Sequence, residues 1–124
     1  MIPIAVLKSG VRIVNFSSPH SFTFDDGTVL PACTPERAKS LMLESVELVT
    51  PKDRWADIEL IFSLSQKVSK ALLELEMDED VDLILVPFPV MEALKKANHP
   101  IGKCRVCRVA DRVSKIIHAD KFCI

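Results

Sequence analysis

Glycine and tyrosine are scarce in this chain of 124 residues, which has three glycines, no tyrosine and one tryptophan. A backbone cradle for phosphate needs glycines at fixed spacing, as in GxGxxG or GxxxxGK[ST]. Gly10, Gly27 and Gly102 cannot be assembled into either motif. Any phosphate that this protein binds must therefore be held by side chains.

Long apolar segments are missing as well. No stretch approaches the roughly 18 uncharged apolar residues of a membrane-spanning helix. The first residues, MIPIAVLKSG, lack the basic region and the long apolar region of a signal peptide. The four cysteines do not define a disulfide framework. We therefore expect a protein without a membrane segment, in a reducing cytoplasm.

The charged residues that are present are unevenly distributed, although the formal net charge is only −1. Residues 36–94 carry six basic and thirteen acidic side chains, whereas residues 95–124 carry eight basic and two acidic ones. This asymmetry indicates an anionic ligand near the C-terminal part, or contact between the acidic part of one protomer and the basic part of another. Neutralisation of the two parts within one fold is the simpler alternative.

Short strands are predicted in the first third of the chain. The segments are rich in β-branched residues or alternate, and two turn signals, Lys8-Ser9-Gly10 and Asp26-Gly27, separate them in pairs. The predicted strands are residues 2–7, 11–16, 21–24 and 28–30. We expect them to form an antiparallel sheet.

Helices are predicted in the middle of the chain, where two Thr-Pro pairs give start signals. Residues 34–36 (Thr-Pro-Glu) open a short helix that runs to about residue 43. Residues 50–53 (Thr-Pro-Lys-Asp) resemble a capping box, and apolar residues then recur at three- and four-residue spacing to about residue 76. We expect a long helix there, preceded by a short strand at residues 45–49.

The last third returns to strands. Residues 81–86 (VDLILV) form a continuous apolar run, which is typical of a strand buried on both faces. A helix at 90–97 ends at Asn98, and strands at 103–109 and 112–118 flank Ala110-Asp111. The whole chain, 1–124, is predicted to be a single α+β domain with an N-terminal antiparallel sheet, two to three central helices and C-terminal strands.

A CxxC pair, Cys104 and Cys107, raises the question of zinc, with His99, His118 and Cys123 as further donors. In strand sequence the odd separation points the two cysteines to opposite faces. The pattern therefore favours small buried apolar side chains, and a zinc site is the alternative.

Catalytic groups are not suggested by any local motif. Cys33 precedes a helix N-cap, where the pKa of a thiol is often lowered, and His20 with Asp25 or Asp26 could complete a triad. The acidic run 76–82 lacks the spacing and the glycine of a calcium-binding loop. We expect a non-enzymatic protein without a cofactor.

The arginines near the C-terminus carry most of the chemical information. Three arginines fall within eight residues: Arg105, Arg108 and Arg112. Two guanidinium groups can bind a pyrophosphate through paired hydrogen bonds if a turn brings them together. Phe88 lies between two prolines and could stack on a purine, and Asn98 could contact a base edge or a ribose hydroxyl. The alternative is that the arginines line a solvated face and that Phe88 belongs to the core.

Two segments resemble phage proteins. Residues 14–20 (VNFSSPH), followed by Asp26-Gly27, are similar to the opening strand pair of small phage-encoded proteins. Phe88, Asn98 ten residues on, and the RxxxR pair Arg108 and Arg112 resemble the ligand-gripping set of one phage anti-defence family. That family is the first type of anti-Thoeris sponge protein, which sequesters cyclic ADP-ribose isomers made by host TIR-domain enzymes.

The resemblance implies a phage immune-evasion protein in the host cytoplasm. It would bind a cyclic nucleotide, namely a glycocyclic ADP-ribose isomer or a cyclic oligonucleotide, without cleaving it. It implies a homo-oligomer with the site at the protomer interface, where a neighbour donates an arginine for which Arg37 and Arg54 are candidates. The carried-over roles are base stacking for Phe88, a polar contact for Asn98 and pyrophosphate binding for Arg108 and Arg112.

Two other function classes remain as alternatives. One is a phage structural or host-takeover protein whose basic C-terminal part contacts an acidic protein partner. The other is a small nucleic-acid binder that uses the same arginines, although the acidic residues 36–94 argue against extended contact with nucleic acid.

Overall fold

Strands dominate residues 2–124, the part of the chain that the structure, a computed structural model, describes. The elements in chain order are β1 (Ile4–Val6), β2 (Arg12–Asn15), β3 (Phe22–Phe24), β4 (Val29–Leu30), α1 (Pro35–Ser40), β5 (Glu44–Pro51), β6 (Ala56–Ser63), α2 (Gln66–Glu76), β7 (Leu83–Leu85), α3 (Phe88–Lys96), β8 (Cys104–Asp111) and β9 (Ile116–Cys123). The predicted α+β class is confirmed. None of the helices in the described chain has the length and apolar character needed to cross a bilayer.

Seven strands form one mixed sheet in the order β1-β2-β7-β8-β9-β3-β4. The pairs β2–β7, β7–β8 and β3–β9 are parallel, and the remaining pairs are antiparallel. The two predicted N-terminal hairpins are present, but they lie at opposite ends of this sheet rather than side by side. The predicted antiparallel N-terminal sheet is therefore corrected: strands from the C-terminal half separate the two hairpins, because β2 and β7 are apolar on both faces and need neighbours on each side.

Successive residues of β2 and β7 supply two apolar clusters on opposite faces of the sheet. Val14 and Ile84 pack with α2 and α3 on one face. Ile13 and Leu85 pack on the other face with residues of β3, β4 and β9. The sheet curls, so that β4 approaches β1 and β2 and encloses this second cluster. A fully buried leucine or isoleucine contributes about 1.5–3 kcal/mol, so both faces stabilise the fold.

The helices begin at capping residues. Thr34 caps α1 by accepting a hydrogen bond from the Arg37 backbone N–H at 3.2 Å, with Pro35 in the first turn, as predicted. α1 ends at Ser40, a few residues earlier than expected. α2 begins after Ser65, whose hydroxyl accepts a hydrogen bond from the Val68 N–H at 3.2 Å.

The prediction of one long helix from residue 50 to about residue 76 is wrong in its N-terminal half. Residues 44–63 form an antiparallel hairpin of β5 and β6, closed by a turn in which the Lys52 N–H donates to the Trp55 carbonyl at 2.7 Å. The Thr-Pro signal at residues 50–51 therefore lies at the end of a strand. Apolar residues at three- and four-residue spacing also occur in a strand that is apolar on both faces. For this reason the spacing predicted a helix where the chain forms β6. Only α2 keeps the predicted helical form.

The hairpin of β5 and β6, residues 44–63, is here named the arm. Seven of its large apolar side chains are 40–63% exposed: Val46, Leu48, Val49, Trp55, Ile58, Leu60 and Phe62. The ionisable residues in its two strands are all acidic: Glu44, Glu47, Asp57 and Glu59. The strands of the arm therefore present an apolar, acidic surface that its own chain leaves largely uncovered, apart from the contact of β6 with α3.

The C-terminal strands form a hairpin whose turn is later than predicted. β8 continues through Ala110 and Asp111, and residues 112–115 make the turn, with Lys115 in the left-handed region at φ 59°. The pairing is irregular: between the pairs Cys107–Phe122 and Val109–Ile117, β8 has Arg108 alone and β9 has residues 118–121. β9 thus bulges strongly in the middle of the hairpin.

Candidate functional site

Asn15, the last residue of β2, organises the loop that follows it. This side chain is 0% exposed. Its Nδ2 donates to the carbonyls of Ser18 (3.1 Å), His20 (3.2 Å) and Pro31 (3.0 Å), and its Oδ1 accepts from the Ser18 N–H at 2.9 Å. Because a buried amide with all of these partners has one favourable arrangement, the loop over residues 16–21 is held in a fixed shape.

This loop forms one wall of a groove of about 780 Å³, here named the Arg112 groove. Pro19, His20 and Phe22 lie on the loop side, and Arg112 and Lys115 lie on the opposite side, in the turn between β8 and β9. Within the described chain no carboxylate pairs with either cation. The groove therefore offers positive charge beside an aromatic ring.

Asp111 fixes the turn that carries the two cations. Its Oδ1 accepts a hydrogen bond from the Val113 N–H at 2.9 Å. This bond, together with hydrogen bonds from Ser114, lowers the pKa of the Asp111 carboxyl. The Asp111 carboxylate is thus hydrogen-bonded to backbone and side-chain groups of the turn. Arg112 and Lys115 are not paired with it and can interact with a ligand.

The turn brings Arg108 and Arg112 together. Both line a small pocket of about 280 Å³ beside Cys107 and Ala110. Arg112 lines both this pocket and the Arg112 groove. The two guanidinium groups can therefore donate paired hydrogen bonds to neighbouring phosphates of one ligand.

Phe88 lies at the other end of the same surface. Its ring is 63% exposed at the start of α3 and lines a pocket of about 340 Å³. Pro19 and Phe22 line both that pocket and the Arg112 groove, so the two are adjacent. Phe88 therefore lies in a pocket next to the Arg112 groove, and it is not a core residue.

Asn98 lies away from this surface. It follows the C-terminal end of α3, whereas Phe88 begins that helix, and ten residues of helix span about 15 Å. Its φ is 53° and its N–H donates to the Lys95 carbonyl at 3.0 Å, the arrangement of a residue that terminates a helix. Within one chain, Asn98 is therefore not brought together with Phe88, Arg108 and Arg112.

The cysteines lie as the odd spacing predicts. Cys104 belongs to the helix-side cluster and Cys107 packs on the opposite cluster. Burial, with a smaller effect of Glu76, raises the pKa of Cys104 to about 12. Burial also raises the pKa of Cys33, whose Sγ donates to the Asn15 carbonyl at 3.1 Å. Because zinc ligation and nucleophilic attack need thiolates, this geometry favours buried thiols.

The acidic run at residues 76–82 takes part in a structural ion pair. Arg12 donates to Asp82 through Nε at 3.0 Å and also contacts Asp80 at 3.4 Å. The side-chain and backbone hydrogen bonds from Arg12 lower the pKa of Asp82 to about 2. This pair joins the start of β2 to the segment before β7, so the acids have a role in the fold.

Comparisons with known proteins add no family assignment. No family model, curated protein or solved structure matches this chain. Inference about its function therefore rests on its own residues.

The sequence does not predict a ligand-binding role for two residues of the Arg112 groove, His20 and Phe22, whereas Lys115 belongs to the basic series around Arg108 and Arg112. From the sequence, His20 belongs to a conceivable triad and to the segment that resembles phage proteins, and Phe22 is a strand residue. The signal that could have found them is the buried Asn15, because an asparagine that ends an apolar strand often shapes the following loop. The position of that loop opposite the β8–β9 turn depends on the strand order, which local sequence does not specify.

Proposed function

We propose that this protein binds a pyrophosphate-containing cyclic nucleotide, of the cyclic ADP-ribose class, in the Arg112 groove and releases it unchanged. Such a protein would withhold a host signalling molecule from its receptor, as the phage sponge family does. The observation that carries the proposal is the pair of cations, Arg112 and Lys115, which face a groove with Phe22 and have no carboxylate partner in the described chain.

The shape of the groove supports a small ligand. Its volume of about 780 Å³ lies within the range of small-molecule sites. Arg112 and Lys115 would hold the phosphates, with Arg108 beside them, and Phe22 or Phe88 would stack on the base. Affinity without turnover is sufficient for sequestration.

A second copy of the chain would contact this site through the arm. An isolated two-stranded hairpin is marginally stable in water, so its exposed apolar residues favour a partner. Two arms placed face to face would bring acids together. Docking of the acidic strands of the arm beside the basic C-terminal part of a second copy would instead match opposite charges, and Arg108, Arg112 and Lys115 would stay available to the phosphates.

The structure also distinguishes between Arg37 and Arg54, the two candidates for an arginine that a neighbouring protomer donates. Arg37 is engaged within its own chain, where its Nε donates to the Phe16 carbonyl at 3.0 Å. Arg54 lies in the turn at the tip of the arm, where its side chain is 87% exposed and contacts only the neighbouring, 95% exposed Asp53, at 3.9 Å. We infer that Arg54 of one protomer reaches the Arg112 groove of the next.

Calorimetry with cyclic ADP-ribose isomers tests the binding site. Arg112→Ala should weaken binding by about 1.5–3 kcal/mol, or about 10- to 150-fold, because a charge-assisted hydrogen bond is lost. Arg112→Lys should recover part of the affinity, since it keeps the charge and loses the fork. Lys115→Ala should also weaken binding.

Lys67→Ala is the matched control, because Lys67 lies on α2, away from the groove, and should leave the affinity unchanged. The bound molecule, released by heating and analysed by mass spectrometry, should be identical to the molecule added. No binding by the wild-type protein, or a chemically altered ligand, would contradict the proposal. Binding of generic DNA that falls steeply with salt would instead support the nucleic-acid alternative.

A further inference from the structure

Three metal-ligating side chains meet at the bulge of β9, apart from the residues assigned to the nucleotide. Asp25 follows β3, and His118 and Asp120 lie in the part of β9 that has no regular partner on β8. One donor atom from each residue lies within 4.8 Å of the other two. The cluster combines one imidazole with two carboxylates.

The two distances from His118 to the carboxylates suit coordination of one ion. His118 Nδ1 lies 3.2 Å from Asp25 Oδ2 and 3.6 Å from Asp120 Oδ1. For metal–ligand bonds of about 2.0–2.1 Å, two ligands of a tetrahedral site are about 3.3 Å apart. The two measured separations lie on either side of that value.

The carboxylate of Asp25 is already oriented by a second hydrogen bond. Its Oδ1 accepts from the Ala119 N–H at 2.9 Å, which leaves Oδ2 directed at His118. Hydrogen bonds of this kind orient the ligands of metal sites and hold them in place. Asp25 is thus anchored to the same strand that supplies the other two donors.

The bulge accounts for the placement of the remaining two donors. In a regular strand His118 and Asp120, two residues apart, would share a face but stand well separated along it. The extra residues of β9, 118–121 opposite Arg108 alone, bend the strand and bring their side chains together. Bulges often re-aim side chains in this way next to functional sites.

We propose that Asp25, His118 and Asp120 bind one divalent cation of the zinc class, with His118 coordinating through Nδ1. The mixed nitrogen and oxygen donor set matches zinc better than calcium or magnesium, which prefer oxygen ligands alone. Three protein ligands leave a fourth position open for water or for an anionic group. This site is separate from the CxxC pair, whose two cysteines face opposite sides of the sheet.

Titration of the metal-free protein with zinc chloride, against a chromophoric chelator, tests this site. We expect one zinc ion per chain. Asp120→Asn should weaken binding at least 10-fold, and His118→Ala should abolish it. Asp120 is the more informative position, because its side chain is 75% exposed and its substitution should leave the fold unchanged. Circular dichroism checks that each variant is folded.

His99→Ala and Cys107→Ser are the matched controls, since these residues belong to the other conceivable zinc site, and both should bind zinc like the wild type. A folded wild-type protein without saturable zinc binding would overturn the proposal, and the three residues would then form only an ion pair. Undiminished binding by folded Asp120→Asn and His118→Ala would also overturn it. Loss of zinc in Cys107→Ser would assign the metal to the thiols instead.

Discussion

Asn15 shows how one buried polar residue shapes the candidate site. Its side chain lies inside the curl of the sheet, where an unpaired amide would be costly, and it is paired with backbone groups of the loop and of Pro31. The same residue thus joins the end of β2, the groove wall and the chain after β4.

Replacing this residue should destabilise the protein. Asn15→Ala leaves the partly buried carbonyls of the loop and of Pro31 without their donor and removes a fully buried amide, so the free energy of unfolding should fall by about 3 kcal/mol. Urea denaturation measures the change. Asn98→Gly is the matched control, because glycine accepts the φ of 53° and the change should stay within about 0.5 kcal/mol. A loss below about 1 kcal/mol for Asn15→Ala would argue against this role.

The ion pair of Arg12 and Asp82 predicts a sensitivity to acid. Asp82 has a pKa of about 2 in the folded protein, which is lower than the value of about 3.9 for an unfolded chain. The stabilisation is therefore complete above about pH 4 and is lost as the pH falls towards 2. Asp82→Asn should flatten the dependence of stability on pH in this interval, as thermal melts at several pH values would measure. Asp53→Asn, in the exposed turn of the arm, should keep the wild-type slope.

At the level of elements, the start of α2 is the point where the sequence prediction and the structure diverge. The predicted helix began at the Thr-Pro pair of residues 50–51, whereas the real N-cap is Ser65. Val68, Leu72 and Leu75 are buried at helical spacing and were assigned correctly. The apolar residues of β6 follow a similar spacing but stay exposed, and only a tertiary or partner contact distinguishes the two cases.

The cap of α2 can be tested directly. Ser65→Ala removes the acceptor for the Val68 N–H, so the free energy of unfolding should fall by about 1 kcal/mol. Ser69→Ala is the matched control within the same helix, where alanine has the better helix propensity and no stability should be lost. Equal effects of the two substitutions in chemical denaturation would show that Ser65 does not act as a cap.

On the scale of the whole molecule, local patterns identified most elements and only part of the site. The turn signals, the apolar run of β7 and the spacing of the cysteines each predicted a local feature correctly. The neighbours of each strand were not predictable, because pairing between β3 and β9 joins residues about ninety positions apart. Phe88, Arg108 and Arg112 are predicted from the sequence, and Lys115 lies in the same turn as Arg112, whereas His20 and Phe22 join them only through this long-range pairing.

The uncovered arm predicts that stability depends on protein concentration. If a second copy covers the arm, mass action should raise the melting temperature with concentration, and light scattering should show an oligomer. Leu60→Gln should reduce both effects, because it places an amide in the apolar face of the arm. Leu73→Gln is the matched control, since Leu73 is similarly exposed but lies on α2. A monomer at all concentrations would contradict this use of the arm.

The tip of the arm carries an optical reporter. Trp55 is the only tryptophan and the chain has no tyrosine, so the fluorescence of the protein comes almost entirely from one indole ring. That ring is 63% exposed, and its Nε1 donates to Asp57 at 3.0 Å. Its emission should shift to shorter wavelength when a neighbouring molecule covers the tip. Assembly can therefore be followed in real time in the unlabelled protein.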